Sequence, residues 1–160
     1  MKKILFAIIL SSAFVSCDLG KEPEIEGTKI QEMCGEWYIE VLDINGDLAA
    51  PGYHLITTSN TAANTATDMI LDDHELWPCK VKCQVNYAGK LIVAASGLSN
   101  EYDETIGVSI KEGKIIKDAA TTSGGNTSDS IYIRLEFADD PGTEYIYAGY
   151  KRTGFLEDEH

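Results

Sequence analysis

The 160-residue chain is 44% hydrophobic and 24% charged, enough for one domain with its own core and too short for a catalytic domain joined to a separate cofactor domain. Acidic residues outnumber basic ones 26 to 13, and two of the basic residues are Lys2 and Lys3 at the N-terminus. A net charge of −13 repels phosphate backbones and anionic headgroups, which argues against nucleic-acid or membrane-surface binding driven by electrostatics.

Met1-Lys2-Lys3 forms a short basic head, Ile4 to Leu10 an apolar run, and small or apolar residues continue to Cys17. The run is shorter than the about 20 residues that span a bilayer, and it fits a signal peptide over residues 1–16. Phe14-Val15-Ser16-Cys17 resembles the lipobox of bacterial lipoproteins, which implies that the Cys17 thiol takes a diacylglycerol and becomes the first mature residue. Acyl chains of the palmitate kind then anchor the protein, at about 0.8 kcal/mol per buried methylene. No other stretch is long and apolar enough to cross a membrane. Residues 17–33 are expected to be the lipidated N-terminus and a flexible acidic tether. Acidic residues directly behind Cys17 also resemble the surface-export signals of Bacteroidetes-type lipoproteins, so the cell surface stands beside a periplasm-facing outer-membrane location.

Residues 34–160 are expected to form a single β domain, because alternation of apolar and polar residues dominates from residue 35 onward. Candidate strands run from Gly35 to Ile44, Tyr53 to Ser59, Thr67 to Leu71 and Trp77 to Tyr87. In the last of these Trp77, Cys79, Val81, Cys83, Val85 and Tyr87 share one face, against Lys80, Lys82, Gln84 and Asn86. Further strands are expected at Lys90 to Ala95, Thr105 to Ile110 and Lys114 to Asp118. Ile131, Ile133, Leu135 and Phe137 then alternate with Tyr132, Arg134 and Glu136, and Ile146, Ala148 and Tyr150 with Tyr145, Tyr147 and Lys151. Asn45-Gly46-Asp47, Ala88-Gly89, Glu112-Gly113 and Asp139 to Gly142 read as hairpin turns. Ser59 to Thr67 and Ala119 to Ser130 read as longer loops, with Thr121 to Ser128 mobile and solvated. About nine short strands without an amphipathic helix indicate an all-β sandwich or an antiparallel up-and-down barrel.

Cys34, Cys79 and Cys83 leave an odd number of thiols in the mature domain. On a regular strand Cys79 and Cys83 lie about 13 Å apart, beyond the roughly 7 Å that a disulfide tolerates. Two readings stand: one of them pairs with Cys34, or all three are buried as small apolar residues. No fourth ligand with zinc spacing accompanies them, and no metal or cofactor is expected.

The first strand opens with Gly35-Glu36-Trp37 and the last ends with Tyr150-Lys151-Arg152-Thr153-Gly154. This resembles the calycin, or lipocalin-like, pattern, which implies an up-and-down barrel of eight or nine strands whose floor tryptophan lies beneath a basic residue of the last strand. Here the pair implied is Trp37 and Arg152, since a planar guanidinium stacks on an indole and still donates to carbonyls. Trp37, Ile39 and Val41 share one phase, and Ile146, Ala148, Tyr150 and Arg152 another that faces them. From lipobox through Gly-Glu-Trp to Ala148–Phe155, the chain also resembles a Bacteroidetes lipoprotein family described as a lipid-binding putative hydrolase. That resemblance implies a barrel holding an apolar ligand; its hydrolase part implies no residue found here.

Catalytic signals are weak. A serine hydrolase wants a Gly-x-Ser-x-Gly elbow, and Ala95-Ser96-Gly97 and Ser123-Gly124-Gly125 are only approximations. His54 lies in a strand, His74 in the acidic turn Asp72-Asp73-His74-Glu75, read as solvated, and His160 at a C-terminus expected to be disordered. No catalytic residue is assigned.

What remains is binding of a small apolar or amphipathic ligand inside the barrel. The lining expected from the first half of the chain is Trp37, Ile39, Val41, Trp77, Val81 and Val85. The second half adds Ile133, Leu135, Phe137, Ile146, Tyr150 and Arg152. The same residues could instead pack solidly. A second reading is an interaction surface for glycan or protein made by Tyr38, Tyr132, Tyr145 and Tyr147, and a third is a hydrolase of unidentified substrate. The protein is expected to be a monomer with no nucleic-acid partner, held to the membrane through Cys17.

Overall fold

The computed structural model describes residues 27–74 and 76–160; the signal segment, Cys17 and the tether up to residue 26 lie outside them. The strands in chain order are β1 (Gly35–Asp43), β2 (Leu48–Asn60), β3 (Asp68–Asp72), β4 (Lys80–Asn86), β5 (Leu91–Ile92), β6 (Ala95–Leu98), β7 (Val108–Thr121), β8 (Thr127–Phe137) and β9 (Tyr145–Lys151). They form one antiparallel sheet in the order β5-β4-β3-β2-β1-β9-β8-β7-β6, and β5 also pairs with β7. Eight strands therefore close into a barrel, and β6 lies as an extra strand along β7.

The two seams that close the barrel differ in strength. The ends of the domain meet through seven residue pairs between β1 and β9, from Trp37↔Lys151 to Asp43↔Tyr145. Glycine is required at 149, because a β-carbon there would lie 1.9 Å from the Tyr38 carbonyl oxygen and 2.7 Å from the Ile39 Cα. On the opposite wall β5 meets β7 through two pairs only, Leu91↔Lys114 and Ile92↔Gly113.

Alternation places the core. Ile39, Ile56, Leu71, Val81, Ile133 and Leu135 are all fully buried and belong to one apolar cluster across the barrel. β4 and β8 keep the expected phase, with Val81, Cys83 and Val85, and Ile131, Ile133, Leu135 and Phe137, inward. The hairpin expected at Glu112-Gly113 does not form. The segments on either side are one strand, β7, and a bulge between Ile110 and Glu112 shifts its inward phase from Val108 and Ile110 to Ile115. The loop expected from Ala119 to Ser130 is also shorter, because the ladder continues through Ala120↔Ser128 and Thr121↔Thr127.

Both chain ends of the described domain pack onto the barrel. Ile30 and Met33, read as tether, are fully buried in the core, Ile30 just before the short 3₁₀ turn Gln31–Met33 and Met33 as its last residue. At the other end the turn Leu156–Asp158 buries the Asp158 carboxylate. It accepts hydrogen bonds from Thr122 Oγ1 at 2.6 Å, Gly124 N at 3.0 Å, Asn126 Nδ2 at 3.1 Å and the Thr153 hydroxyl. Burial would raise its pKa, but these donors outweigh burial and hold it below the usual value. Thr121 to Ser128 is thus a pinned hairpin, not a mobile loop. His160 is likewise placed: its ring stacks on Tyr53 with centroids 4.0 Å apart and bonds the Tyr150 hydroxyl.

All three cysteines of the described domain are free, so no pairing with Cys34 forms; Cys79 and Cys83 are buried as the second reading expects, whereas Cys34 is only half-buried. Burial pushes the Cys83 thiol up to about 12 and that of Cys79 well above its ordinary value, so neither is a thiolate at neutral pH.

Candidate functional site

The floor of the barrel is built on Trp37. Its indole N–H donates to Thr58 Oγ1 at 2.8 Å, and the Thr58 hydroxyl donates to the Met33 carbonyl at 2.6 Å, fixing the N-terminal turn as a plug. The basic residue over the indole is Lys151, with Nζ 5.6 Å from the ring centroid, and not Arg152. Arg152 lies on the outer face, where it bonds Glu36 at 2.7 Å and Glu159 at 2.7 Å. The phase of β9 is therefore opposite to expectation. Tyr145 and Tyr147 pack with the core, while Ile146 and Tyr150 face outward. The error has a physical cause: the outer face of β9 is covered as well, since Tyr150 contacts Tyr38, Ser123 and His160. A strand buried on both faces shows no alternation.

The opposite end carries an apolar cleft. Trp77, expected in a strand, lies in the loop before β4, where its ring is 5.6 Å from Phe137 and 5.1 Å from Tyr145 between centroids. With Leu76 it forms one wall of a cavity of about 200 Å³, whose other walls are Val41, Ala49, Ala50, Phe137, Tyr145 and Tyr147. Trp77 is 37% exposed and stands at the mouth, whereas Phe137 and Tyr147 are 1% exposed and form its depth.

A buried carboxylate organises this wall. Asp73 is 1% exposed and accepts hydrogen bonds from Cys79 N at 2.9 Å, Trp77 N at 3.1 Å and the Tyr147 hydroxyl at 3.0 Å. One member of the acidic turn is thus not solvated: Asp73 ties the Leu76–Trp77 loop to β9 inside the barrel, while His74 is exposed. Burial raises its pKa above the usual carboxylate value, and the three donors offset only part of that. Asp72 remains nearer the surface, accepting from His74 N and the Tyr102 hydroxyl.

Of the lining expected from sequence, Val41 and Phe137 meet at the cleft with Trp77. Trp37, Ile39, Val81, Val85, Ile133 and Leu135 fill the body of the barrel. Ile146, Tyr150 and Arg152 lie outside it. Sequence reading missed Ala50, Leu76, Tyr145, Tyr147 and the role of Asp73; the Asp-Asp pair just ahead of an apolar Leu-Trp-Pro-Cys was the available signal. The four tyrosines read as an outer platform do not form one, because Tyr147 is buried inside and Tyr38 is covered by Glu159 and His160. His160 bonds a tyrosine hydroxyl and His74 approaches Asp72, and among the described residues no histidine bonds a serine hydroxyl.

A barrel with an apolar cleft agrees with what comparison finds. A family model described as lipid-binding putative hydrolase matches residues 22–156. The chain belongs to the lipid-binding putative hydrolase family. The match spans the floor plug, all nine strands and the first residue of the C-terminal turn, so it covers the whole barrel described above. A search of curated proteins finds no match.

Proposed function

We propose that this member of the family binds a lipid or similar apolar molecule in the cleft between Trp77, Phe137 and Tyr145, as a lipoprotein anchored through Cys17. The observation that carries the reading is the lining of the cleft. Its walls are apolar or aromatic, and its two hydroxyls are already engaged, Tyr147 with Asp73 and Tyr145 with Asp140 at 2.8 Å. Such a site offers burial and no exposed charge, so an aliphatic segment gains about 0.8 kcal/mol per methylene it buries there. A polar head stays at the mouth beside half-exposed Trp77. Family membership supports the same ligand class. Because the body of the barrel is filled, binding is at one end and not along the axis.

The lipobox-like Phe14–Cys17 supports export and an outer-membrane anchor, facing the periplasm or the cell surface. The charge of −13 supports a protein with no nucleic-acid partner, and the domain is read as a monomer.

Titration with fatty acids and an apolar fluorescent probe tests the site. Trp77 emission is expected to shift on binding, and Trp77→Ala to weaken both ligands about tenfold, which is about 1.4 kcal/mol. Flat titrations for both ligands refute the cleft. Mass spectrometry of protein purified from its native membrane tests the anchor: a diacylglycerol-modified Cys17 is expected, and an unmodified Cys17 or an intact signal segment refutes it.

A further inference from the structure

A second cavity, of about 450 Å³, lies at the Trp37 end and differs in chemistry from the apolar cleft. Its lining includes Tyr87 and Ile115 and three lysines, Lys90, Lys117 and Lys151. In an acidic protein most cations are neutralised: Lys80, Lys90, Lys111, Lys114, Arg134 and Arg152 each lie within ion-pair distance of a carboxylate. Among the described residues Lys117 and Lys151 form no such pair. Two carboxylates share the lining: Glu32 pairs with Lys90 and feels the charge of Lys117, and Asp129 accepts the Asp118 backbone N–H at 3.0 Å, so three lysines face two carboxylates and one positive charge is left over.

The Lys151 ammonium is held in place by packing. A β-carbon at Gly35 would lie 2.6 Å from Lys151 Cε, so glycine at 35 leaves room for the lysine stem to cross β1 and rest over Trp37. The Gly-x-Trp motif therefore positions a cation that has no counter-ion, beside a cavity of the size small-molecule sites have. Attraction for an anion here must be local, because the field of the whole protein is repulsive.

We propose that this cavity binds a small soluble organic anion, its carboxylate or phosphate on Lys117 and Lys151 and its apolar part against Ile115 and Tyr87. The site is separate from the lipid cleft, at the other end of the barrel, and does not depend on it.

Isothermal titration calorimetry of the lipid-free domain at low ionic strength tests this with benzoate and phenyl phosphate as probes. Both are expected to bind, and 0.5 M salt to weaken them, since screening acts on exposed charges. Lys117→Gln and Lys151→Met, the latter keeping an aliphatic stem over Trp37, are each expected to weaken phenyl phosphate about tenfold. Lys82→Gln, on the outer face of β4, is expected to leave it unchanged. Lys117→Gln alone decides the matter if Lys151→Met does not fold. Absence of binding by both probes, or equal weakening by Lys82→Gln, overturns the proposal. So does binding to phosphatidylglycerol vesicles without binding of either soluble anion, which would assign the lysines to a lipid headgroup.

Discussion

Gly149→Ala is expected to lower the free energy of unfolding by about 4 kcal/mol or more, a large part of the roughly 5–15 kcal/mol that holds a domain of this size together. The added methyl group meets main chain, the Tyr38 carbonyl oxygen at 1.9 Å and the Ile39 Cα at 2.7 Å, and not the far end of a flexible side chain. Relief requires β1 and β9 to separate in the middle of their ladder, where Gly149 pairs with Ile39 on one side and Ile131 on the other. Urea unfolding followed by far-ultraviolet circular dichroism should show the midpoint falling by about 2 M, given a slope near 2 kcal/mol/M. Ala148→Gly, one residue away, is the control and should cost about 1 kcal/mol. A Gly149→Ala midpoint within 0.5 M of the parent would contradict the close approach of the two strands.

Asp73→Ala is expected to cost about 3–5 kcal/mol, because it leaves the Cys79 and Trp77 amides and the Tyr147 hydroxyl without their acceptor, and each buried orphan costs about 1–3 kcal/mol. The loop that carries Leu76 and Trp77 loses its tie to β9, so apolar-probe binding should fall with stability. Asp73→Asn separates charge from hydrogen bonding. Its amide oxygen still accepts from one backbone N–H, and its NH₂ group can donate to the Tyr147 oxygen, leaving about one bond lost. The pH dependence distinguishes the two effects. The pKa of Asp73 is raised in the fold, first by burial, so the folded state holds this proton more tightly than the unfolded chain. Its contribution to stability is fully present below the ordinary carboxylate value, about 3.9, and is lost as pH rises through the folded value. Urea midpoints measured from pH 4 upward should carry this decline in the parent and lack it in Asp73→Asn. Identical pH profiles for the two proteins would rule out a raised pKa at Asp73.

The parts of the fold that were legible in the sequence are those with one wet face. β4 and β8 alternate apolar and polar residues because Lys80, Lys82 and Gln84, or Tyr132, Arg134 and Glu136, face away from the core. β9 was misread because its outer face is buried too, with the C-terminal His160 over Tyr150, so Ile146 and Tyr150 are as apolar as the inward Tyr145 and Tyr147. β7 was divided in two because Glu112-Gly113 has turn composition, whereas the glycine is there to admit Ile92, whose Cβ lies 2.6 Å from where a side chain would begin. The site was half legible for a related reason. Val41, Trp77 and Phe137 stand out as apolar residues, but what brings them together is a buried aspartate whose neighbours in sequence all read as solvent-facing. The basic residue over the floor tryptophan was displaced by one position, from Arg152 to Lys151, by the same phase error.

The two-pair contact of β5 with β7 makes the wall opposite the chain ends the place where the hoop opens first. Four residues, Leu91, Ile92, Gly113 and Lys114, supply its paired positions, and the backbone bond from Ile115 N to Lys90 O extends it by little. Local excursions that part these strands need far less free energy than global unfolding, so amide protons on this wall should exchange with deuterium well before those joining β1 to β9. Each such excursion briefly turns a continuous ring into a curved ribbon with two bare edges, the form in which one copy could zip onto another.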